Sequence, residues 1–203
     1  MDLGSPVLDV APDVRGTLLL ALARLEKPVS RRRLAFLAGV APSHASSVIE
    51  DLIHTGLVHE TIAGRASMVV LNRNHLAAGP VLALAGLRGE LIGRLRKRLA
   101  AWPDLISAWL FGSVARGDGG RDSDIDLLIV ADDLRSPALH ERIAQLHTDV
   151  RVWTGNDLQI LEHSAASWDH LLRSENPLVE QIRLDGIAVA GDVATASLLE
   201  RRR

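Results

Sequence analysis

Apolar residues recur at helical spacing early in the chain. In PDVRGTLLLALARLE (residues 12–26), Leu18, Leu19, Leu22 and Leu25 form one stripe, and Lys27–Pro28 ends it. Ser30 is placed to cap a second helix, SRRRLAFLAG, which Gly39 closes. A third helix starts at Pro42–Ser43, with Ser43 as its expected cap, Val48, Ile49 and Leu52 as its buried face and Gly56 as its stop. The period then changes. LVHETIA and ASMVVLN read as two short strands around Gly64–Arg65, a hairpin signal. Helical spacing returns in residues 82–101, where Leu91, Leu95 and Leu99 recur every fourth residue beside Ile92. Arg94, Lys97 and Arg98 line the other side, either as a solvated face or as a surface for a polyanion.

The second half mixes the two periods. ISAWLF (106–111) is apolar, short and bounded by Pro103 and Gly112, so it reads as a strand. IDLLIVA (125–131) and DLQILE (157–162) are two more. PALHERIAQLHTDVRVW (137–153) is helical, with Leu139, Ile143 and Leu146 on one side and Gly155 as its stop. SWDHLLRS and PLVEQIRLDG follow as short helices, and IAVAG reads as a last edge strand. Trp109 and Trp168 read as core. The expected fold class is α/β (α+β), a short mixed sheet flanked by helices behind a helical module. The expected domains are 1–80, a connecting helix at 81–103, and 104–203.

Composition changes this picture little. The 203 residues are 47% hydrophobic and 24% charged with a net charge of −2, an ordinary globular balance without a global basic bias. No Cys is present, which excludes a disulfide framework and a thiolate metal site. The eight His are scattered and form no HExxH-like pair. No stretch is long and apolar enough for a membrane span, and the acidic first residues do not read as a signal peptide. A cytoplasmic protein is expected.

Three helices followed by a hairpin form a recognisable order. The run LAFLAGVAPSHASSVIEDLIHTGLV resembles the winged helix-turn-helix family, with Ala35, Gly39, Val40, Ile49, Leu52 and Gly56–Leu57–Val58 at the family's places. The resemblance covers roughly residues 12–72 and implies duplex DNA as a partner through residues 30–66. Charge agrees weakly. The exposed side of the third helix offers Ser43, His44, Ser46, Ser47 and Glu50, without Arg or Lys. Arg31, Arg32 and Arg33 precede it, and Arg65 stands at the expected wing tip. Phosphate contact by the arginines and a dimerisation module, giving a homodimer, both remain open.

The chemistry concentrates in FGSVARGDGGRDSDIDLLIV (111–130). Gly112–Ser113 ends one strand, where glycine lets backbone N–H groups approach a phosphate and Ser adds a hydroxyl. On an extended backbone Asp124 and Asp126 share a face. Two like charges that close repel, and burial raises the cost, so a cation is expected between them. Paired carboxylates suit Mg²⁺, which also takes substrate phosphate oxygens. A phosphate loop and a divalent-cation site in one segment imply phosphoryl or nucleotidyl transfer.

The segment GSVARGDGGRDSDID resembles the signature of the polymerase-β-like nucleotidyltransferase superfamily: Gly-Ser, about ten residues, then Asp-x-Asp. With Ala115–Arg116–Gly117 and Ser123 it is similar to the minimal nucleotidyltransferases of bacteria and archaea. The resemblance implies that Gly112 and Ser113 hold the β/γ-phosphates of an NTP, expected to be ATP. Asp124 and Asp126 would bind Mg²⁺ (or Mn²⁺), Ser123 would help orient the triphosphate, and Arg116 would support the loop or touch phosphate. The family also uses a third carboxylate as metal ligand and general base. Asp157, at the start of a strand, is the expected one; Glu162 falls on the opposite face and Asp149 in a helix. The chain departs from larger relatives in having no evident acceptor domain, so a protein, a tRNA end or a small molecule each fits as acceptor. The expected function is transfer of a nucleoside monophosphate from an NTP to a hydroxyl. The alternative is a winged-helix regulator that senses nucleotide without turnover, and a toxin–antitoxin context is a third reading.

Overall fold

The computed structural model describes residues 1–64 and 66–191. Arg65, the expected wing-tip arginine, and the final RRR lie outside the described residues. The chain forms two compact units, one of Ser5–Leu87 and one of Met1–Gly4 with the chain from Arg88 onward. The boundary therefore falls inside the helix expected to connect two domains, and the first four residues belong with the second unit.

The unit Ser5–Leu87 opens with a 3₁₀ turn, Pro6–Asp9, then α1 (Val14–Ala23), capped by Asp13, which accepts from Gly16 N at 2.9 Å. Next come β1 (Val29–Ser30), α2 (Arg31–Leu37) and α3 (Pro42–His54). Ser30 caps α2 as expected, accepting from Arg33 N at 3.2 Å. Ser43 does not cap α3. The N-cap is Ala41, without a side-chain bond, and Pro42 occupies the first turn, where its fixed φ suits a helix start and its missing N–H costs nothing. Ala45, Ile49 and Leu52 are buried, and Val48 is partly buried. β2 (Val58–Ala63) and β3 (Ala66–Leu71) pair antiparallel from Val58↔Leu71 to Ala63↔Ala66. β1 adds to β3, giving the sheet order β1-β3-β2. Three helices on a three-stranded antiparallel wing make this unit a winged helix-turn-helix fold.

The helix expected over 82–101 is two helices, α4 (Ala78–Ala85) and α5 (Leu87–Leu99), parted at Gly86, whose N–H reaches back to Leu82 O and Ala83 O. In the second unit β4 (Leu105–Phe111), α6 (Gly112–Arg116), β5 (Ile125–Ala131), α7 (Pro137–Thr154), β6 (Leu158–Ser164), α8 (Ala165–Arg173), α9 (Pro177–Asp185) and β7 (Ile187–Gly191) follow. The sheet order is β6-β5-β4-β7, with β5 parallel to β6 and the other pairs antiparallel.

Alternation along β5 divides this sheet into two faces. Ile125, Leu127 and Ile129 pack with Leu91, Leu95 and Leu99 of α5 and Leu139, Leu146 and Val150 of α7. Leu128 and Val130 pack with Trp109 and Phe111 of β4, Trp168 of α8 and Val179 and Ile182 of α9. Each such aliphatic side chain, fully buried, contributes about 1.5–3 kcal/mol. Both faces of β5 are covered, so polar residues can occur only at its ends. Two of the three basic residues of the α5 stripe are engaged within the unit: Arg94 pairs with Glu90 at 2.8 Å and lies over the Trp153 ring, and Arg98 pairs with Asp149 at 2.9 Å, while Lys97 is exposed.

Candidate active site

The site lies where β4 ends and β5 begins. Phe111 faces Asp126 across the antiparallel pair, so the turn after Phe111 passes beside the Asp126 side chain. Gly112 has φ +71°, and a Cβ placed there would meet Asp126 Oδ2 at 2.1 Å. Only glycine satisfies both the backbone conformation and that space. α6 starts there, and its N-cap, Phe111, offers no side-chain acceptor to the first-turn N–H groups.

Asp124 and Asp126 emerge on the face of Leu128 and Val130 by the period of two. Asp124 is exposed and Asp126 half-buried. Burial raises the Asp126 pKa above the ordinary carboxylate value, the Asp124 charge raises it further, and Arg116 opposes both. Arg116 itself bonds Asp118 Oδ2 at 3.2 Å rather than either motif carboxylate. The pair is thus an under-compensated negative site against a glycine turn, and carboxylate oxygens are the donors a divalent cation such as Mg²⁺ takes.

The third expected carboxylate stands apart. Ile125 N donates to Asp157 O at 2.8 Å, so Asp157 directly precedes β6 and, extending the register Ile125↔Leu158 by one step, lies alongside position 124. Its carboxylate bonds Arg151 Nη1 at 2.6 Å, both side chains being well exposed. Among the described residues no group of three or more His, Asp or Glu is close enough to hold one metal ion. Asp157 therefore lies beside the pair by register, with its carboxylate engaged by Arg151. It borders an open cleft of about 510 Å³ lined by His147, Thr148, Arg151, Leu158 and Gln159. Glu162 is exposed on β6, and Asp149 is held by Arg98.

Ser123 braces the loop from inside: its hydroxyl accepts from Gly120 N at 2.9 Å. Two residues that the sequence reading passed over also shape this loop. Asn156 is buried, and its Nδ2 faces the carbonyls of Ser123 (2.9 Å), Met1 (3.1 Å) and Arg121 (3.2 Å), while Oδ1 accepts from the Met1 amino group at 2.8 Å. In sequence it is only the polar end of a TGN turn. Arg88, at the start of α5, donates from Nε to Val114 O at 2.6 Å and from Nη2 to Ala115 O. Nothing in its local sequence separates it from the other arginines of α5.

Residues 92–165 match the family model described as a nucleotidyltransferase domain. The matched stretch runs from within α5 to the first residue of α8 and includes the glycine turn, Asp124, Asp126 and Asp157. No curated protein matches the chain at a significant level. Among solved structures, a toxin–antitoxin with AMP-PNP is similar at 24% identity over 55% of this chain and 79% of that chain, with a TM-score of 0.37. A MarR family transcriptional regulator from Silicibacter pomeroyi is similar at 20% identity over 47% of this chain and 69% of that chain, with a TM-score of 0.34. Among the described residues no helix is long and apolar enough to cross a membrane.

Proposed function

We propose that the protein transfers a nucleoside monophosphate from an NTP, ATP in the first instance, to a hydroxyl acceptor. The observation that carries this reading is the close approach of the Gly112 turn to Asp126, which sets the turn we read as phosphate-binding beside the carboxylate we read as cation-binding. Gly112 and Ser113 present the first-turn N–H groups of α6 and the Ser113 hydroxyl to the β/γ-phosphates. Asp124 and Asp126 would hold Mg²⁺ or Mn²⁺, which when bound neutralises charge on the phosphoryl oxygens. Arg116 and Ser123 support the loop around them.

Asp157 is the group we assign to the acceptor proton. In the free protein it is engaged by Arg151, so a base role requires that pair to open. An acceptor carrying a phosphate would offer Arg151 another partner in the cleft beside Asp157, leaving the carboxylate for the hydroxyl. Both charges of the pair are exposed, and such pairs are worth about 1 kcal/mol or less, so opening it is a small cost. The winged-helix unit would contact duplex DNA through phosphates, using Arg32 and Arg33.

The test is incubation of the purified protein with Mg²⁺, each α-labelled NTP in turn and a cell lysate. Label should appear on one macromolecular or small-molecule class and vanish with Asp124→Asn. Labelling that is absent with every NTP, or unchanged in that variant, would sink the reading.

A further inference from the structure

The loop that carries Gly112 and Ser113 is gripped from two sides by residues outside the stretch matched by the family model. On one side is Arg88. A five-residue helix leaves its last carbonyls without helical partners. In α6 the Ser113 carbonyl accepts from Gly117 N and Asp118 N, and those of Val114 and Ala115 accept from the Arg88 guanidinium. A cation on helix carbonyls is also favoured by the local dipole. On the other side is Gly4, whose N–H donates to Gly119 O at 2.8 Å. A Cβ at Gly4 would lie 2.9 Å from Gly117 O and 3.2 Å from Gly119 O, so only glycine lets this backbone lie so close. Leu3 beside it is buried in the core with Val114 and Ala115, and Met1 is held by Asn156.

These two residues have one more property in common. Gly4 is the last residue before the winged-helix unit and Arg88 the first after it. The winged-helix unit is thus an insertion in the nucleotidyltransferase unit, entered and left through two hydrogen-bonded grips on one loop.

We propose that Gly4 and Arg88 are positioning residues for the phosphate loop, so that the loop's order, and with it NTP affinity, depends on both junctions of the inserted unit. This rests on the functional reading above for its link to NTP, but the grip itself is a property of the fold. Arg88 fixes the carbonyl end of α6, and Gly4 fixes the segment that follows. Loosening either frees the α6 amides to move relative to the Asp126 carboxylate.

The experiment measures amide hydrogen exchange of residues 112–123 in the full chain, together with Mg-ATP affinity and the kcat and KM of transfer. Arg88→Ala should raise exchange across 113–119 by about tenfold or more, as local opening becomes easier. It should weaken Mg-ATP binding by about tenfold, with kcat at saturation within about threefold of wild type, the pattern of lost ground-state binding. Arg88→Lys, which keeps the charge but not the two-pronged geometry, should fall between. Gly4→Ala should act in the same direction, by about threefold, because its added methyl displaces the segment from Gly117 O and Gly119 O. Arg96→Ala is the matched control: Arg96 also sits on α5 and donates to a backbone carbonyl, that of Ala188 in β7 at 3.2 Å. It should leave loop exchange and affinity unchanged. Unchanged exchange over 113–119 in both Arg88→Ala and Gly4→Ala, or an equal change in Arg96→Ala, would overturn the grip. If the wild type bound no Mg-ATP, the functional reading would fall, while the exchange result would still decide whether the junctions order the loop. Faster exchange with undiminished Mg-ATP affinity would overturn the link to NTP and leave the grip.

Discussion

The two units treat their charges in opposite ways. In the winged-helix unit Arg31, the least exposed of the three arginines, is engaged: it bonds Glu60 at 2.8 Å and Glu50 at 3.2 Å. Glu60 takes a further hydrogen bond from Ser67, and that bond, with Arg31, holds its pKa below the usual carboxylate value. At the mouth of β5 the reverse holds. Asp124 and Asp126 stand two residues apart, the nearby Arg116 is directed to Asp118, and burial pushes Asp126 up. In one unit the Arg31–Glu50–Glu60 cluster closes on itself; in the other a negative site is left open. An under-compensated charge costs stability, which agrees with the proposal that this site binds a cation. A run of three arginines catches the eye more than DSDID does, yet one of the three is already paired with two carboxylates.

Breaking the open site should give the largest effect. Asp124→Asn or Asp126→Asn should lower transfer by about a thousandfold, the scale of losing a group that stabilises developing charge. Folding should survive, and a variant with near-normal transfer would refute the assignment. Asp157→Asn should come next. It keeps its shape and cannot take a proton, so transfer should fall about a hundredfold. Mg-NTP should still bind within about tenfold, a loss under about 1.4 kcal/mol. Glu162→Gln should change neither. Loss of transfer in Glu162→Gln with Asp157→Asn intact would move the third carboxylate to the other face of β6.

Asn156→Ala tests the loop without touching a motif carboxylate. It removes buried bonds to Ser123, Arg121 and Met1 and leaves carbonyls unpaired, so unfolding in urea should show a loss of about 2–3 kcal/mol. A loss below about 0.5 kcal/mol would mean that water replaces it.

A smaller effect should appear in the pH dependence of stability without added metal. The folded-state pKa of Asp126 is raised, so the folded chain holds that proton more tightly than the unfolded chain. Its favourable contribution is complete in acid, below the ordinary carboxylate pKa, and is lost as pH rises through the raised value. Asp126→Asn should therefore melt at a higher temperature than wild type at neutral pH, with the gap closing toward pH 3. A variant that melts lower at neutral pH would show that Asp126 is satisfied by a partner.

What was legible in the sequence follows the range of the forces involved. Periodicity and local stops placed α2, α7, β5 and the edge strand β7 closely, because those signals lie within a few residues. The Asp-x-Asp face was readable for the same reason, as was the glycine turn. β1 is two residues long and exists only because β3 pairs with it, which no local pattern announces. Ser43 misled because a side-chain cap and a first-turn Pro are competing ways to start a helix. Arg88, Asn156 and the Arg151–Asp157 pair escaped because their roles depend on contacts with other elements. Arg88 acts across 26 residues of chain and Asn156 across 155. A basic run reads as free charge until its partners, Glu50 and Glu60, are seen to sit on other elements.

That last point gives the smallest and most discriminating prediction. If the full-length protein binds duplex DNA, its affinity should fall with salt, since each neutralised phosphate releases counterions. The three arginines should not contribute equally. Arg32 is exposed, and Arg33 lies over the exposed Phe36 ring at 5.1 Å, a contact that leaves its charge uncancelled. Arg32→Ala with Arg33→Ala should reduce the slope of log affinity against log salt by about 1.8, the value for two phosphate contacts. Arg31→Ala should leave that slope within about 0.3, because its charge already answers two carboxylates. Its cost should appear in thermal unfolding instead, since Glu60 would keep Ser67 but lose its cation. An Arg31→Ala slope change as large as that of one exposed arginine would show that Glu50 and Glu60 release it on DNA. No DNA binding at low salt would favour dimerisation as this unit's role.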